Sequence, residues 1–294
     1  MIKKSFVWVK VPRCGLGNQL FPIALALLFA RINNLPIYFT NYTQIKIGPY
    51  LRGERTKRNY RHLFKFDNGL FFDIFLQLKL FYFIKTSFKQ VRNPTEKDID
   101  LFNCAYIFDT VPSWKNYFHL LNENRLLVIE LIESIINDKI LDKIKSLPSL
   151  NSALHIRLGD FAKLTENTSF AAVGCTRTPS DYFFDIISIF TKLDPCKKIF
   201  IFSDGHKSEL EHLLSSNVIL IQHDNDLIDL FHLSKSSFIG MSAGSTFSYW
   251  AGFLGDALLI YHDAHPPCLI KKPIEKTMSL TDFKNYIKVS HLNI

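Results

Sequence analysis

The amino-acid sequence predicts an α/β protein of two domains, and three observations predict it. Its 294 residues are enough for two medium domains, and 47% hydrophobic with 21% charged residues is close to the globular average. From residue 152 onward, short apolar runs alternate with stretches of helical length, as βαβ units of a parallel sheet do. Between the halves, SLPSLNS at 146–152 breaks the pattern with proline and serines, which sets domains of 1–147 and 148–294.

In chain order, Ser5 to Val11 alternate as a strand, Pro12 to Asn18 turn, and Gln19 to Arg31 continue as an apolar helix. Residues 36–39 and 105–108 read as short strands, and the Phe-rich stretch 69–88 as helix or strand. Apolar positions at helical spacing run through 125–146. Past the boundary, strands at 152–157, 198–203, 217–221, 236–240 and 257–261 alternate with helices at 180–192, 206–215, 226–234 and 245–254. Parallel sheets bind ligands beyond their strand C-termini, so polar residues in those loops are the candidates for chemistry.

Several classes are excluded first. The cysteines at 14, 104, 175, 196 and 268 are odd in number and lack CxxC spacing, which argues against a disulfide framework or a zinc site and favours a cytoplasmic location. The apolar start is too short for a signal peptide, and Leu20–Ala30 is about half of the roughly 20 residues that span a bilayer, so no transmembrane helix is expected. Thirty-five Lys and Arg against 27 Asp and Glu give +8, which implies an anionic partner. RGERTKRNYRHLFKF, residues 52–66, could face nucleic acid, anionic lipid or a phosphorylated substrate, or be a solvated basic loop. No nucleic-acid-binding motif accompanies it, so nucleic acid is not the expected partner.

Four stretches could carry chemistry. In Cys14-Gly15-Leu16-Gly17-Asn18-Gln19 a strand turns into a helix, and Gly15 and Gly17 would let backbone N–H groups approach an anion. Leu20 stands where a dinucleotide fingerprint has its third glycine; Asn18 is expected to cap the helix and Pro22 to lie in its first turn. In His155-Ile156-Arg157-Leu158-Gly159-Asp160, alternation points His155 and Arg157 to one face, Arg157 offers a planar fork for pyrophosphate, and Asp160 either orients it or caps the next turn. Ser203-Asp204-Gly205 ends an apolar strand, where Asp204 could accept from ribose hydroxyls or a guanine edge, or cap a helix starting near His206. The stretch from Ser242 through Gly244, Ser245, Thr246 and Phe247 to Ser248 gathers hydroxyls and free N–H groups at a helix start, which suits phosphate without a metal. Asp224-Asn225-Asp226 matches a DxD pattern but reads better as a helix N-cap, and His262 and His265 lack a carboxylate or cysteine scaffold for a metal. No GxSxG or HExxH motif is present.

Together, GLGNQLF near the start, HIRLGD at midchain, IFSDG, and GSTFSYWAGFL resemble glycosyltransferase family 11, the bacterial α-1,2-fucosyltransferases, in order and spacing along nearly the whole chain. HxRxGD is shared with the wider fucosyltransferase superfamily. The resemblance implies a GT-B architecture of two Rossmann-like domains facing a cleft, a GDP-β-L-fucose donor, inversion at the anomeric carbon and no metal cofactor. Carried onto this chain, it implies that His155 and Arg157 hold GDP, with Arg157 on the pyrophosphate, and that Ser203-Asp204 meet guanine or ribose. It further implies that Ser245, Thr246 and Phe247, with Ser242 before them, surround the β-phosphate, and that Asn18 reaches the reaction centre. Cys14, Pro22, Gly205 and Tyr249 depart from the family's usual residues, and bear on the acceptor more than the donor. The implied acceptor is the 2-hydroxyl of a galactose-ended glycan of surface polysaccharide or O-antigen, lipid-linked at the inner membrane face. Residues 50–90 would then touch anionic headgroups. Asp160 and Glu54 are the candidate bases, and Arg157→Ala is expected to keep its fold and lose transfer. The alternatives are another GDP-sugar transferase, a noncatalytic nucleotide- or glycan-binding module, and a metal-dependent transferase using Asp224 and Asp226.

Overall fold

A computed structural model describes residues 3–44, 46–58, 60, 62–67, 69–94, 99–165, 170, 175–271 and 276–292. The chain divides into two compact units, one of Met1–Lys46 with Asn59–Lys143, the other of Ile47–Arg58 with Ile144–Ile294. Residues 47–58, expected in the first domain, thus belong to the second unit, and Asn59 and Arg61 of the basic stretch lie outside the described residues.

In chain order the structure runs β1 (Phe6–Lys10), α1 (Leu16–Ile32), β2 (Ile37–Thr40), α2 (Gly48–Leu51), which falls in the second unit, and α3 (Leu70–Ser87). It continues through β3 (Lys89–Arg92), β4 (Cys104–Phe108), α4 (Arg125–Ile135) and α5 (Asp138–Ser146). The first unit's four strands pair in the order β2-β1-β4-β3, all parallel. Alternation along β1 explains its two faces. Val7 and Val9 pack with Ile23, Ala26 and Leu27 of α1, while Phe6 and Trp8 pack with Leu80 and Ile84 of α3.

Three expectations change here. Helix α1 starts at Leu16, with Gly15 as N-cap, so Asn18 lies inside its first turn and is not the cap. Pro22 is one turn further in than expected, where its missing N–H leaves the Asn18 carbonyl without its helical donor. The periodic stretch 125–146 is two helices: Ile136 takes extended backbone and pairs with Phe64, and Asn137 restarts the chain by accepting from the Lys139 N–H through its side chain. The ambiguous 69–88 stretch is helix.

The second unit runs β5 (Leu150–Ile156), α6 (Ser180–Leu193), β6 (Ile199–Ser203), β7 (Val218–Ile221), α7 (Asp226–Ser234), β8 (Ser236–Gly240), α8 (Thr246–Leu254), β9 (Leu258–Tyr261), β10 (Thr277–Ser279) and α9 (Leu280–Leu292). Its six strands pair in the order β10-β9-β8-β5-β6-β7, all parallel. Counted within the unit from the opposite edge, this is 3-2-1-4-5-6, the order of dinucleotide-binding sheets. The expected helix 206–215 is instead two 3₁₀ turns, Lys207–Glu209 and Glu211–Leu213. Leu210 and Leu213 are both buried, and three residues per turn puts both on the core side. Both units are therefore α/β with parallel sheets. Among the described residues no helix is long and apolar enough to cross a membrane.

Candidate functional site

The strand order of the second unit reverses between β5 and β8, and ligands of such sheets bind beyond the strand ends at that point. HIRLGD runs off the end of β5 there. His155 is buried, with Nδ1 2.7 Å from Ser248 Oγ and its ring stacked on Phe247 at 4.8 Å between centroids. Burial pushes its imidazole down to about 3, with the Asp204 carboxylate opposing and the Arg157 charge adding, so it is neutral at physiological pH.

Arg157 is held on two sides. Its Nη2 donates to Asp160 Oδ1 at 2.6 Å, and its Nη1 pairs with Asp204 Oδ2 at 2.7 Å. Asp204 is in turn fixed by the Leu158 and Gly159 N–H groups, at 2.8 and 3.3 Å from Oδ1. This turn needs Gly159, because a Cβ there would lie 2.3 Å from Asp204 Oδ2. Asp204 is thus committed within the chain, organising the motif instead of standing open to a ribose. Ser203 is committed too, donating to the Ile156 carbonyl at 2.7 Å.

The stretch after β8 divides in two. Ser242 bridges the strand ends, donating to the His155 carbonyl and accepting from the Arg157 N–H, both at 2.8 Å, so its hydroxyl is not left for phosphate. The Ala243 N–H donates to Thr178 Oγ1 at 2.9 Å and the Gly244 N–H to the Tyr249 hydroxyl at 3.1 Å. Ser245, the N-cap of α8, makes no capping bond through its side chain. The N–H groups of Thr246, Phe247 and Ser248 form the first turn of α8 and have no acceptor one turn back. They sit against His155, beyond the end of the strand that carries Arg157, and such a helix start has the geometry that can hold an anion.

Within the basic stretch, the segment from Glu54 to Arg58 is packed into the second unit, while Arg52, His62 and Lys65 are exposed. Arg58, nearly buried, pairs with Asp160 Oδ2 at 3.0 Å and with Glu54 Oε2 at 2.6 Å, and Arg52 Nε donates to Glu54 Oε1 at 2.6 Å. Arg55 donates to the Ser203 carbonyl at 3.2 Å and lies 4.0 Å from Asp229. Burial acts upward on Asp160, but the Arg58 hydrogen bond and the charges of Arg157 and Arg58 outweigh it and hold the carboxyl at about 2. That value is too low for a base at neutral pH, and Glu54 is buried between two arginines. Asp160 therefore positions Arg157. Asp229, which no sequence motif marks, is the reverse case. Burial, helped by Asp226 and Asp224, pushes its carboxyl up to about 7 against the His223 N–H and Arg55. Thr178 and Asp229 carry no local sequence signal, and the basic run that contains Arg55 and Arg58 does not show their distant partners Ser203, Asp229 and Asp160.

In the first unit, the Pro12–Gly17 loop is tied down by neighbours. The Leu16 N–H donates to the Tyr60 hydroxyl at 2.9 Å, Gln19 Nε2 to the Pro12 carbonyl at 3.0 Å, and Lys46 to the Cys14 carbonyl. Burial pushes the Cys14 thiol up to about 11 against the Lys46 charge, so it keeps its proton at neutral pH. Gly15 has φ −67 and open space where a Cβ would be, so its absence of side chain leaves the start of α1 uncovered. Gly17 is buried in the first turn of α1, and Asn18 Oδ1 is buried with no hydrogen-bond partner. In the second unit, Asn225 Oδ1 accepts from the Ile228 N–H at 2.9 Å, making Asp224-Asn225-Asp226 a helix cap. His262 and His265 pack edge-on against Phe170 at 4.7 and 4.4 Å. Among the described residues, no group of three or more His, Cys, Asp or Glu is arranged to hold a metal.

No family model and no curated protein matches the chain. Among solved structures, it is similar to the NodZ α-1,6-fucosyltransferase co-crystallised with GDP, at 14% identity and TM-score 0.48 over 89% of this chain and 95% of that one. NodZ has also been solved from Bradyrhizobium. A mutant of FUT1 from Arabidopsis thaliana in complex with GDP aligns at 13% identity and TM-score 0.46 over 90% of this chain and 73% of its own. POFUT1 in complex with GDP aligns at 11% identity and TM-score 0.47 over 94% and 98%.

Proposed function

We propose that the chain transfers L-fucose from GDP-β-L-fucose, with inversion, to the 2-hydroxyl of a galactose-ended glycan. The observation that carries this reading is the pairing, at the reversal point of the second sheet, of the pinned Arg157 fork with the uncovered first turn of α8. The order of the sequence motifs supports fucose and the 2-hydroxyl as the donor sugar and linkage.

In this mechanism the pyrophosphate lies on the N–H groups of Thr246, Phe247 and Ser248, with the Ser245 and Thr246 hydroxyls beside them. Arg157 has five N–H donors, two of them committed to Asp160 and Asp204, so the rest of the fork can face the leaving phosphate. As the bond to GDP breaks, the fucosyl carbon becomes oxocarbenium-like, and the acceptor 2-hydroxyl oxygen bonds to it and gives up its proton to the departing phosphate or to water. The negative charge that grows on the β-phosphate meets these preoriented donors. Neutral His155 holds Phe247 in place and adds no charge of its own. The donors supply the stabilisation that a divalent ion gives in other transferases, so transfer is proposed to persist in EDTA. The unpartnered Asn18 Oδ1 is proposed to bind sugar; Asn18→Ala should keep GDP affinity and lower turnover. The setting we infer is surface-polysaccharide or O-antigen synthesis in the bacterial cytoplasm.

The deciding experiment incubates the protein with GDP-fucose and a panel of β-galactosides in EDTA, with the linkage read by NMR. An α-1,2-fucosyl product is expected. Selective GDP binding without turnover on any donor or acceptor would favour a binding module, and no GDP binding would refute the site.

A further inference from the structure

Helix α3 is an apolar helix with a narrow inner face. Of its 18 residues, only Asp73, Leu80 and Ile84 are buried. Asp73 is spent inside the unit, accepting from the Asn41, Tyr42 and Thr43 N–H groups, and Leu80 and Ile84 join the sheet core. The opposite face is left to solvent: Phe71 is 89% exposed, Phe75 63%, Leu78 65% and Tyr82 69%. At about 100° per residue these four fall within a sector of roughly 60°, flanked on one side by Lys79 and on the other by Lys85. A stripe of this kind is too large and too aromatic to be scattered surface residues.

We propose that α3 lies in the plane of an anionic lipid bilayer, its Phe71–Tyr82 face sunk into the headgroup boundary and Lys79 and Lys85 on the phosphates. The charges choose the occupant. The only acid on the helix is buried, so the exposed face offers apolar surface between two cations, which anionic headgroups complement. A second copy would bring the same lysines against each other. The helix can lie on a membrane but not cross one. The arginines at 52, 55 and 58, expected to share this contact, are occupied with Glu54, Asp160, Asp229 and the Ser203 carbonyl, which leaves α3 as the contact element. The proposal stands whatever the donor proves to be.

Flotation of the full chain with vesicles tests it. Binding is expected to mixed phosphatidylglycerol and phosphatidylcholine, and much less to phosphatidylcholine alone, since each lysine near such a surface is worth roughly fivefold in partitioning. Phe71→Ser/Phe75→Ser/Leu78→Ser should lower binding at least about tenfold, and Lys79→Glu/Lys85→Glu should remove the preference for anionic lipid. Both variants change exposed side chains and should melt and bind GDP as the parent does. A parent that stays in the soluble fraction, or a triple variant that floats like it, overturns the proposal. So does a concentration-dependent dimer that the triple variant abolishes, which would give the face to a second copy.

Discussion

Arg157 is oriented before any ligand arrives. Asp160 and Asp204 fix the guanidinium plane and at the same time balance its charge, so it offers a phosphate direction more than net charge. Arg157→Ala is expected to lower transfer by about two to three orders of magnitude. It should also lower stability by about 3 kcal/mol, because Asp204 is left nearly buried beside a second carboxylate without its cation. The variant is still expected to fold, at that lower stability. Arg157→Lys should rescue neither property, since one ammonium cannot reproduce a fork held at two ends. A transfer assay checks the first and thermal unfolding the second, and an alanine variant that turns over and melts like the parent would show the pinning to be irrelevant. Gly159→Ala probes the same network through the backbone. Its methyl group would press on Asp204 Oδ2, so a loss of about 1–3 kcal/mol and weaker GDP binding are expected. Gly205→Ala should cost less, because the atom it meets is the flexible end of Leu158.

At the scale of elements, α7 and α8 are locked at one crossing. A Cβ on Gly255, the residue after α8, would lie 1.8 Å from the Ser234 carbonyl oxygen at the end of α7. Neither backbone can yield without separating the helices, so Gly255→Ala should cost at least about 3 kcal/mol in urea unfolding. A variant of parental stability would mean the helices part freely. The strands legible in the sequence were β1, β2 and β4 in the first unit and β5 to β9 in the second; β1, β4, β5 and β6 are largely buried runs that need no partner to be recognised. Strand β3, KQVR, is a polar edge strand with no such run and was missed, as were β10 and α9. Helical spacing in 125–146 and 206–215 was real, but Ile136 is drawn into pairing with Phe64, and a three-residue turn buries Leu210 and Leu213 equally well. The candidate site was legible where its residues lie at a strand end, as His155 and Arg157 do, or at the helix start that follows one, as Thr246 does. Arg55 and Arg58 were not legible, because a run of basic residues does not show which carboxylates it will meet much later in the chain.

For the whole molecule, buried titratable groups in the second unit set how stability varies with pH, and they act in opposite senses. Burial, with the His223 charge adding, pushes His232 down to about 4, and burial pushes His155 down to about 3. Both stay neutral when folded, so the stability they contribute is complete above their unfolded value near 6.5 and is lost as pH falls toward the folded values. Asp229, pushed up from 3.8 to about 7, keeps its proton when folded; its contribution is complete below 3.8 and is lost as pH rises to about 7. Between about pH 4 and 6.5 two groups therefore weaken the fold on acidification while one strengthens it, and the net expectation is acid weakening. Asp229→Asn mimics the protonated carboxyl and can still accept from the His223 N–H, so it removes only the opposing contribution. The variant should match the parent near pH 4 and exceed it near pH 8, by a few kcal/mol at most. Melting temperatures across that range decide the matter: a difference that does not grow with pH would mean that Asp229 ionises in the fold as it does in the open chain.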